Sequence, residues 1–426
     1  MNAPAAVSAT GHRPLLLRAW LTVALLWLVG LLNYLDRMMI TTMRQSLVDA
    51  IPMNDRQFGL LTTVFLLVYA ALSPFAGYLA DRFNRSRVIV FSLVAWSAIT
   101  WLTAHATTYA ELLATRALMG ISEACYIPAA LALIADYHGP RTRSLANGTH
   151  LSGVMIGGAL GGVGGWIAEK HGWAQSFVWF GQLGLVIAIV AALYLRDRRP
   201  TAGGDNDAAA PKPADVASLG EAVRSLFGRR EFFLALGFWG LLGASSWAVV
   251  GWMPTYLTER FHLTQGTGGL SATGWFQGAS LVGVVFGGAL ADAWSRTQPR
   301  APMLVPLIGL CAGAPAVLLA ASADSLAPAL AGLALFGFTK AFTDANMMPI
   351  LTLVADSRYR ATGYGILNLC ACAVGGVTTY LGGALRDAKI PVNNIFLFGG
   401  ASVLVCAALL WLLVRANRTA AEKAVA

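Results

Sequence analysis

Apolar runs long enough to cross a bilayer recur twelve times along this 426-residue chain, and little else about its sequence constrains the fold as tightly. They fall near 18–40, 57–80, 87–105, 109–135, 144–168, 173–195, 230–257, 267–291, 302–322, 326–354, 361–385 and 392–415, with ends soft by a few residues. About 20 apolar residues span the hydrocarbon as a helix, and a helix satisfies its own backbone polar groups where no water can. A soluble fold is excluded by the proportions: 57% of residues are hydrophobic and 12% charged, against roughly a quarter charged in ordinary soluble domains. The expectation is an all-α membrane protein of twelve helices. The first run begins near Leu15, has no small-residue cleavage pattern after it and contains Asp36 and Arg37. It reads as a retained helix rather than a signal peptide.

The net charge of +9 raises the question of nucleic acid. The basic residues sit in short loops between the runs, without aromatic interleaving, so they read as membrane orientation and no nucleic-acid partner is expected. With the N-terminus inside, twenty-one of the thirty Lys and Arg residues fall on the cytoplasmic side and six outside. That bias predicts cytoplasmic termini in a plasma membrane, the inner membrane of a bacterium. The cysteines Cys125, Cys311, Cys370, Cys372 and Cys406 all lie in apolar runs, as buried thiols rather than disulfides or a metal site.

One long polar stretch, 196–230, carries Pro200, Gly203, Gly204, Pro211 and Pro213, with a short amphipathic helix expected near 219–227. It divides the chain into an N-terminal six-helix bundle (1–195), a linker (196–229) and a C-terminal six-helix bundle (230–426). The two bundles repeat. Gly77-Tyr-Leu-Ala-Asp81-Arg82-Phe-Asn-Arg85 after the second run answers to Gly288-Ala-Leu-Ala-Asp292-Ala-Trp-Ser-Arg296 after the eighth. Glu123-Ala-Cys-Tyr-Ile-Pro128, then Asp136 and Arg143, answers to Asp344-Ala-Asn-Met-Met-Pro349, then Asp356 and Arg360. Two matches at a similar offset indicate duplication, and six helices per unit make the repeats parallel about an axis along the membrane normal.

On these motifs the chain resembles the major facilitator superfamily over nearly its whole length. The Gly-x-Leu-Ala-Asp-Arg-x-x-Arg loop is that superfamily's signature, with Asn84 here in place of the usual glycine. The resemblance implies two pseudo-symmetric six-helix bundles and a cytoplasmic gate that uses Gly77, Asp81, Arg82 and Arg85, with Asp292 and Arg296 as the second-half counterpart. Arg87 reads as ordinary positive-inside anchoring.

Six ionisable residues fall inside the apolar runs: Asp36, Arg37, Arg116, Glu123, Lys340 and Asp344. Such residues are costly in a membrane and mark function by default. Arg116 and Glu123 share a helix face about 10 Å apart along the axis; Lys340 and Asp344, four apart, are placed to pair. Three acids and three bases make either a set of structural salt bridges or a site for an anion and a proton. The second is the sharper reading: arginine offers a carboxylate or phosphate a bidentate fork, and a desolvated acid is able to take up a proton.

Asn33-Tyr34-Leu35-Asp36-Arg37, and Arg116 with Glu123 before Tyr126-Ile-Pro128, resemble two branches of the superfamily: the anion:cation symporters of sugar acids and the Spinster-like exporters of lipid-related solutes. Trp252-Met-Pro254-Thr-Tyr256-Leu257 is closer to the symporters. By that resemblance Asp36 and Glu123 are proton-coupling residues and Tyr34, Arg37 and Arg116 contact substrate. Lys340 and Asp344 fall outside the usual pattern; their pairing is expected to face the same cavity and tune the second half.

Other residues carry weaker signals. Gln277, Asn346 and Asn368 are mid-helix amides that either bind substrate hydroxyls or hydrogen-bond between helices. His150 reads as a packing residue more readily than a proton shuttle. The Gly153–Gly165 glycine run lacks the proline of the superfamily's antiporter motif and reads as close helix packing. Trp239 and Trp247 read as packing or cavity lining. No Walker loop, Gly-x-Ser-x-Gly elbow or metal-ligand set is present, so neither enzyme activity nor a cofactor is expected. The expected partners are a small anionic substrate, a proton and the lipid bilayer, with the protein a monomer. The expected activity is proton-coupled symport of a sugar acid or other carboxylate, the alternative being Spinster-like export of a lipid-like amphiphile.

Overall fold

The structure, a computed structural model, describes residues 12–139, 142–197, 219–354 and 359–425. Sixteen helices lie among the described residues: α1 His12–Thr42, α2 Arg44–Ala50, α3 Asp55–Arg82, α4 Arg85–Thr103, α5 Tyr109–Glu123, α6 Tyr126–Tyr137, α7 Arg143–Leu160, α8 Gly162–His171, α9 Trp173–Tyr194, α10 Leu219–Phe227, α11 Arg230–Phe261, α12 Gln265–Ser295, α13 Ala301–Ser322, α14 Leu326–Val354, α15 Arg360–Asp387 and α16 Asn393–Val425. Among the described residues twelve spans are long and apolar enough to cross a membrane. The fourth is the pair α5 and α6, and the fifth the pair α7 and α8.

Both interruptions have local causes. Pro128 has no N–H to give the carbonyl of Ala124, one turn earlier, and the fourth span breaks at Ala124–Cys125. At Gly161 the backbone tightens into i→i+3 bonds, Gly161 N–H to the Gly158 carbonyl at 3.2 Å and Gly164 N–H to the Gly161 carbonyl at 3.1 Å. The glycine run around this point serves two neighbours at once. A Cβ at Gly157 would sit 2.0 Å from the Leu31 carbonyl oxygen of α1, and one at Gly162 would sit 2.5 Å from the Leu270 backbone of α12. Only glycine permits both approaches, which is the packing role read from the sequence.

The first half, α1 to α9, meets the second, α11 to α16, along two seams: α3 against α15, and α7–α8 against α12. Close cross-half contacts gather at the end of the molecule opposite the chain termini, here called the distal face. Thr63 donates to the Gly376 carbonyl at 2.6 Å, and Thr273 donates to the Ala159 carbonyl at 2.7 Å. Helix α10 is the amphipathic helix expected in the linker; Leu226 is buried, and Phe227 packs edge-on against Phe232 and Phe233 at 5.4 and 5.5 Å.

At the opposite face, Asn84 is the N-cap of α4 and accepts the Arg87 N–H at 2.9 Å. Asparagine in place of the signature's glycine therefore satisfies an otherwise unpaired donor of the helix start. Arg85 pairs with Asp136, and donates to the Ala132 carbonyl at 3.3 Å, so the signature loop is tied to the end of α6. Gly77 and Asp81 lie in the last turns of α3, and the surroundings of both fall outside what is described. Arg82, Asp292 and Arg296 are exposed at helix ends on this face.

Candidate functional site

The first-half charges form one buried cluster. Arg37 on α1 donates from Nη2 to Oε2 of Glu123 on α5 at 2.9 Å. Its guanidinium carbon lies 4.6 Å from the ring centres of Tyr34 and Tyr69 and 4.9 Å from that of Phe65. Three aromatic faces and a carboxylate thus surround one cation, an arrangement in which cation–π attraction replaces part of the lost hydration. Asp36 accepts a hydrogen bond from Thr100 at 3.3 Å. Asp36, Arg116 and Glu123 are fully buried, and Arg37 is 5% exposed.

Arg116, expected to contact substrate, has a different setting from Arg37. It lies inside the first half, its guanidinium carbon 4.9 Å from the centre of the buried Phe65 ring, which therefore touches both arginines. Its one hydrogen bond among the described residues is from Nη1 to the Met119 sulfur at 2.9 Å; Nε and Nη2 have none. One oxygen each of Asp36 and Glu123 is likewise without a partner among the described residues. Glu123, seven residues on from Arg116 along the same helix, has turned instead to Arg37 of α1. Buried charges with open hydrogen-bonding capacity are costly when unpaired. They remain tolerable here because two acids and two bases adjoin one another.

The second half contributes a more open pair. Lys340 Nζ bonds both oxygens of Asp344, at 3.0 and 2.8 Å, and the two side chains are 18% and 25% exposed. Lys340 stands seven residues after Leu333, hence on the same face of α14, and Leu333 lines a pocket at the seam of the halves. The Tyr364 phenol on α15 is within electrostatic reach of both Asp344 and Tyr34. Tyr364 thus stands between Asp344 of the second half and Tyr34 of the first. By the sequence repeat Asp344 answers to Glu123 and Lys340 to Met119.

The weaker candidates separate. Gln277 lines the seam pocket with Met38, Val249, Met253, Phe276 and Leu333. Asn368 is half-buried and, among the described residues, accepts only a 4.0 Å contact from the Cys372 thiol, whereas Asn346 bonds its own helix at the Phe342 carbonyl. Trp247 packs with Phe65, Tyr69 and Cys372 at the centre; Trp239 is buried within the second half. His150 is held in packing: Tyr126 gives its one hydroxyl proton to the Leu26 carbonyl at 2.7 Å, so the 2.9 Å contact with His150 Nε2 is a bond the histidine donates.

Residues 26–379 of the chain match the Major Facilitator Superfamily. The chain belongs to that superfamily. It is accordingly a multi-pass membrane transporter and not an enzyme. Among relatives of this superfamily member, spinster homolog 3 of Danio rerio is 28% identical over 88% of this chain and 78% of its own length. The hexuronate transporter of Bacillus subtilis is 24% identical over 89% of this chain and 90% of its own. The fold is also that of a solved bacterial homologue of the human lysosomal transporter Spinster in an inward-facing, unoccupied conformation, with a TM-score of 0.78, 22% identity, and coverage of 94% of this chain and 98% of that one.

A distal ion-pair network went unread in the sequence. Asp55 of α3 accepts from Arg44 at 2.7 Å and, across the seam, from Arg386 at 3.0 Å. Arg386 also grips both oxygens of Glu259, at 2.9 and 2.7 Å. By sequence, Arg44 and Arg386 count only as stray positive charges in the expected outer loops. Their position at the ends of apolar runs, each with an acid at the end of another run, is the one signal that sets them apart.

Proposed function

We propose that this transporter carries a small organic anion together with a proton by alternating access, the anion being a sugar acid or other hydroxy-carboxylate. The observation that carries this reading is the buried Arg37–Glu123 pair, 2.9 Å across, walled by Tyr34, Phe65 and Tyr69. While Glu123 is ionised it holds the Nη2 donor of Arg37 and draws the guanidinium away from an anionic substrate. A proton on Glu123 cancels that attraction and leaves Arg37 free to present its fork to the substrate. Proton and anion then favour each other's binding, as linkage requires. Asp36, held by Thr100 and adjoining both Glu123 and Arg116, serves as a second proton position. Arg116 keeps the two acids from repelling each other, and Lys340 and Asp344 border the cavity from the second half.

With the termini cytoplasmic in a plasma membrane, the distal face, where the halves touch, is the outer one. The six intramembrane charges sum to zero, so a monoanion that enters with one proton leaves the site neutral. Uptake into proteoliposomes tests the reading: an inward proton gradient should drive accumulation of a hexuronate or related acid in wild type but not in Glu123→Gln.

A second reading, exchange of a lipid-like amphiphile, is favoured by one observation. The seam pocket beside Met38 is almost wholly apolar, with Gln277 and Thr273 its few polar side chains. The space is small in this structure, but its lining would meet a hydrocarbon chain better than a polyol if it widened during the cycle. A thermal-shift comparison of hexuronates with lysolipids separates the two.

A further inference from the structure

Helix α3 begins with Asn54 as N-cap in a capping box: Asn54 accepts the Gln57 N–H at 2.8 Å, and Gln57 accepts the Asn54 N–H at 3.0 Å. The two donors between them are satisfied from the other half of the molecule. The Asp55 and Arg56 N–H groups donate to the two oxygens of Asp387, the last residue of α15, at 2.9 and 3.1 Å. Helix α12 starts the same way. Thr264 is its N-cap and accepts the Thr267 N–H at 3.3 Å. The Gly266 N–H donates to Oε2 of Glu169, near the end of α8 in the first half, at 2.7 Å.

These are the same positions of the repeat. Asn54 answers to Thr264, Arg56 to Gly266 and Gln57 to Thr267, each 210 residues on. The acids answer too, since α8 ends the fifth span and α15 is the eleventh. Each half therefore lends a carboxylate to the helix start of the other, where unpaired N–H groups and the helix dipole both favour an anion. Both acids are exposed, so water is at hand to replace either partner when the contact breaks. A contact of this kind is firm enough to bias an equilibrium and weak enough to be reversed in every cycle.

We propose that Glu169 and Asp387 are paired gate residues of the transport cycle: two pseudo-symmetric latches that hold the distal face shut and must both release before it opens. The proposal rests on the transporter fold and not on the identity of the substrate or on proton coupling. The Asp55–Arg386 and Gln265–Ser46 contacts at the same seams, at 3.0 and 2.8 Å, act alongside the latches but do not repeat between the halves.

The test is a distance measurement in lipid nanodiscs without substrate, between labels on unnatural amino acids at exposed distal positions Gln45 and Ser325, one in each half. Glu169→Ala and Asp387→Ala should each shift the closed-to-open ratio about fivefold toward a longer distance, and together about twenty-five-fold, as expected for independent caps. The isosteric variants Glu169→Gln and Asp387→Asn, which keep the packing, should shift it the same way by less. Glu111→Ala is the control. Glu111 is an exposed distal acid that accepts the Thr107 and Thr108 N–H groups, at 2.7 and 3.1 Å, wholly within the first half. Its loss should leave the distance unchanged. A double alanine variant with the wild-type distance distribution would overturn the proposal, as would equal lengthening by Glu111→Ala.

Discussion

Arg37 is bound by Glu123, 86 residues away in the chain, at 2.9 Å, whereas Arg116, on the same helix as Glu123, has no hydrogen-bond partner among the described residues but the sulfur of Met119. The two arginines are thus unequal. One is committed to a carboxylate; the other lies against Phe65, with Asp36 and Glu123 in electrostatic reach.

Loss of either partner of the committed pair should have different costs alone and together. Arg37→Ala leaves Glu123 buried without its base, a change worth about 3–5 kcal/mol in comparable buried pairs. Arg37→Ala combined with Glu123→Gln removes the stranded charge and should unfold at a higher temperature than Arg37→Ala alone. Arg37→Lys should fold yet bind substrate more weakly than wild type, because an ammonium lacks the fork. Thermal unfolding with and without substrate reads both effects.

The second-half pair should behave as a neutral unit. Lys340→Met strands Asp344 in an apolar setting and Asp344→Leu strands Lys340, so each single variant should be less stable than the double Lys340→Met, Asp344→Leu. A thermodynamic cycle from thermal melts measures the coupling. Additive single effects would mean that the two side chains act separately.

Close approach at Gly157 gives a prediction of packing. A methyl group there meets the Leu31 carbonyl oxygen at 2.0 Å, so Gly157→Ala should cost about 1–3 kcal/mol of stability by overpacking. Gly148→Ala, on the same helix with nothing within 4 Å of the added carbon, should be neutral or stabilise by up to about 1 kcal/mol through helix propensity. Melting temperatures of the two variants should move apart.

Much of the fold was legible because a spanning helix writes itself as a long apolar run. The run read at 57–80 is the core of α3, Asp55–Arg82, and that at 173–195 is α9, Trp173–Tyr194. What the runs do not carry is direction around the helix axis. Asp36 and Arg37 are neighbours in sequence yet face different partners, Thr100 and Glu123, and spacing along α5 alone did not say that Arg116 bonds Met119 rather than Glu123. The break at Ala124–Cys125 was readable from Pro128; that at Gly161 was hidden among glycines that serve packing. The distal contacts were illegible for another reason. Asp55 and Arg386 are 331 residues apart, and each looks like an ordinary loop charge until the halves are brought together.

Charge balance at the site should appear in the electrical behaviour of transport. Uptake of a monoanion with one proton moves no net charge, so its initial rate in proteoliposomes should not change when a potassium–valinomycin potential is imposed at fixed pH. Leaving an extra buried charge in the site would cost several kcal/mol. Faster uptake at an inside-negative potential would mean that more than one proton enters with each monoanion, and faster uptake at an inside-positive potential that less than one does.

The central claim, that protonation of Glu123 frees Arg37 for the anion, is tested most directly by proteoliposome uptake of the acid giving the largest thermal shift, with and without an inward proton gradient. Wild type should accumulate it only with the gradient. Glu123→Gln, fixed in the uncharged form, should exchange internal for external substrate at a measurable rate yet accumulate none, and Asp36→Asn should show weakened accumulation. Gradient-driven accumulation at the wild-type level in both variants would contradict the account and leave the two acids as structural partners of the arginines.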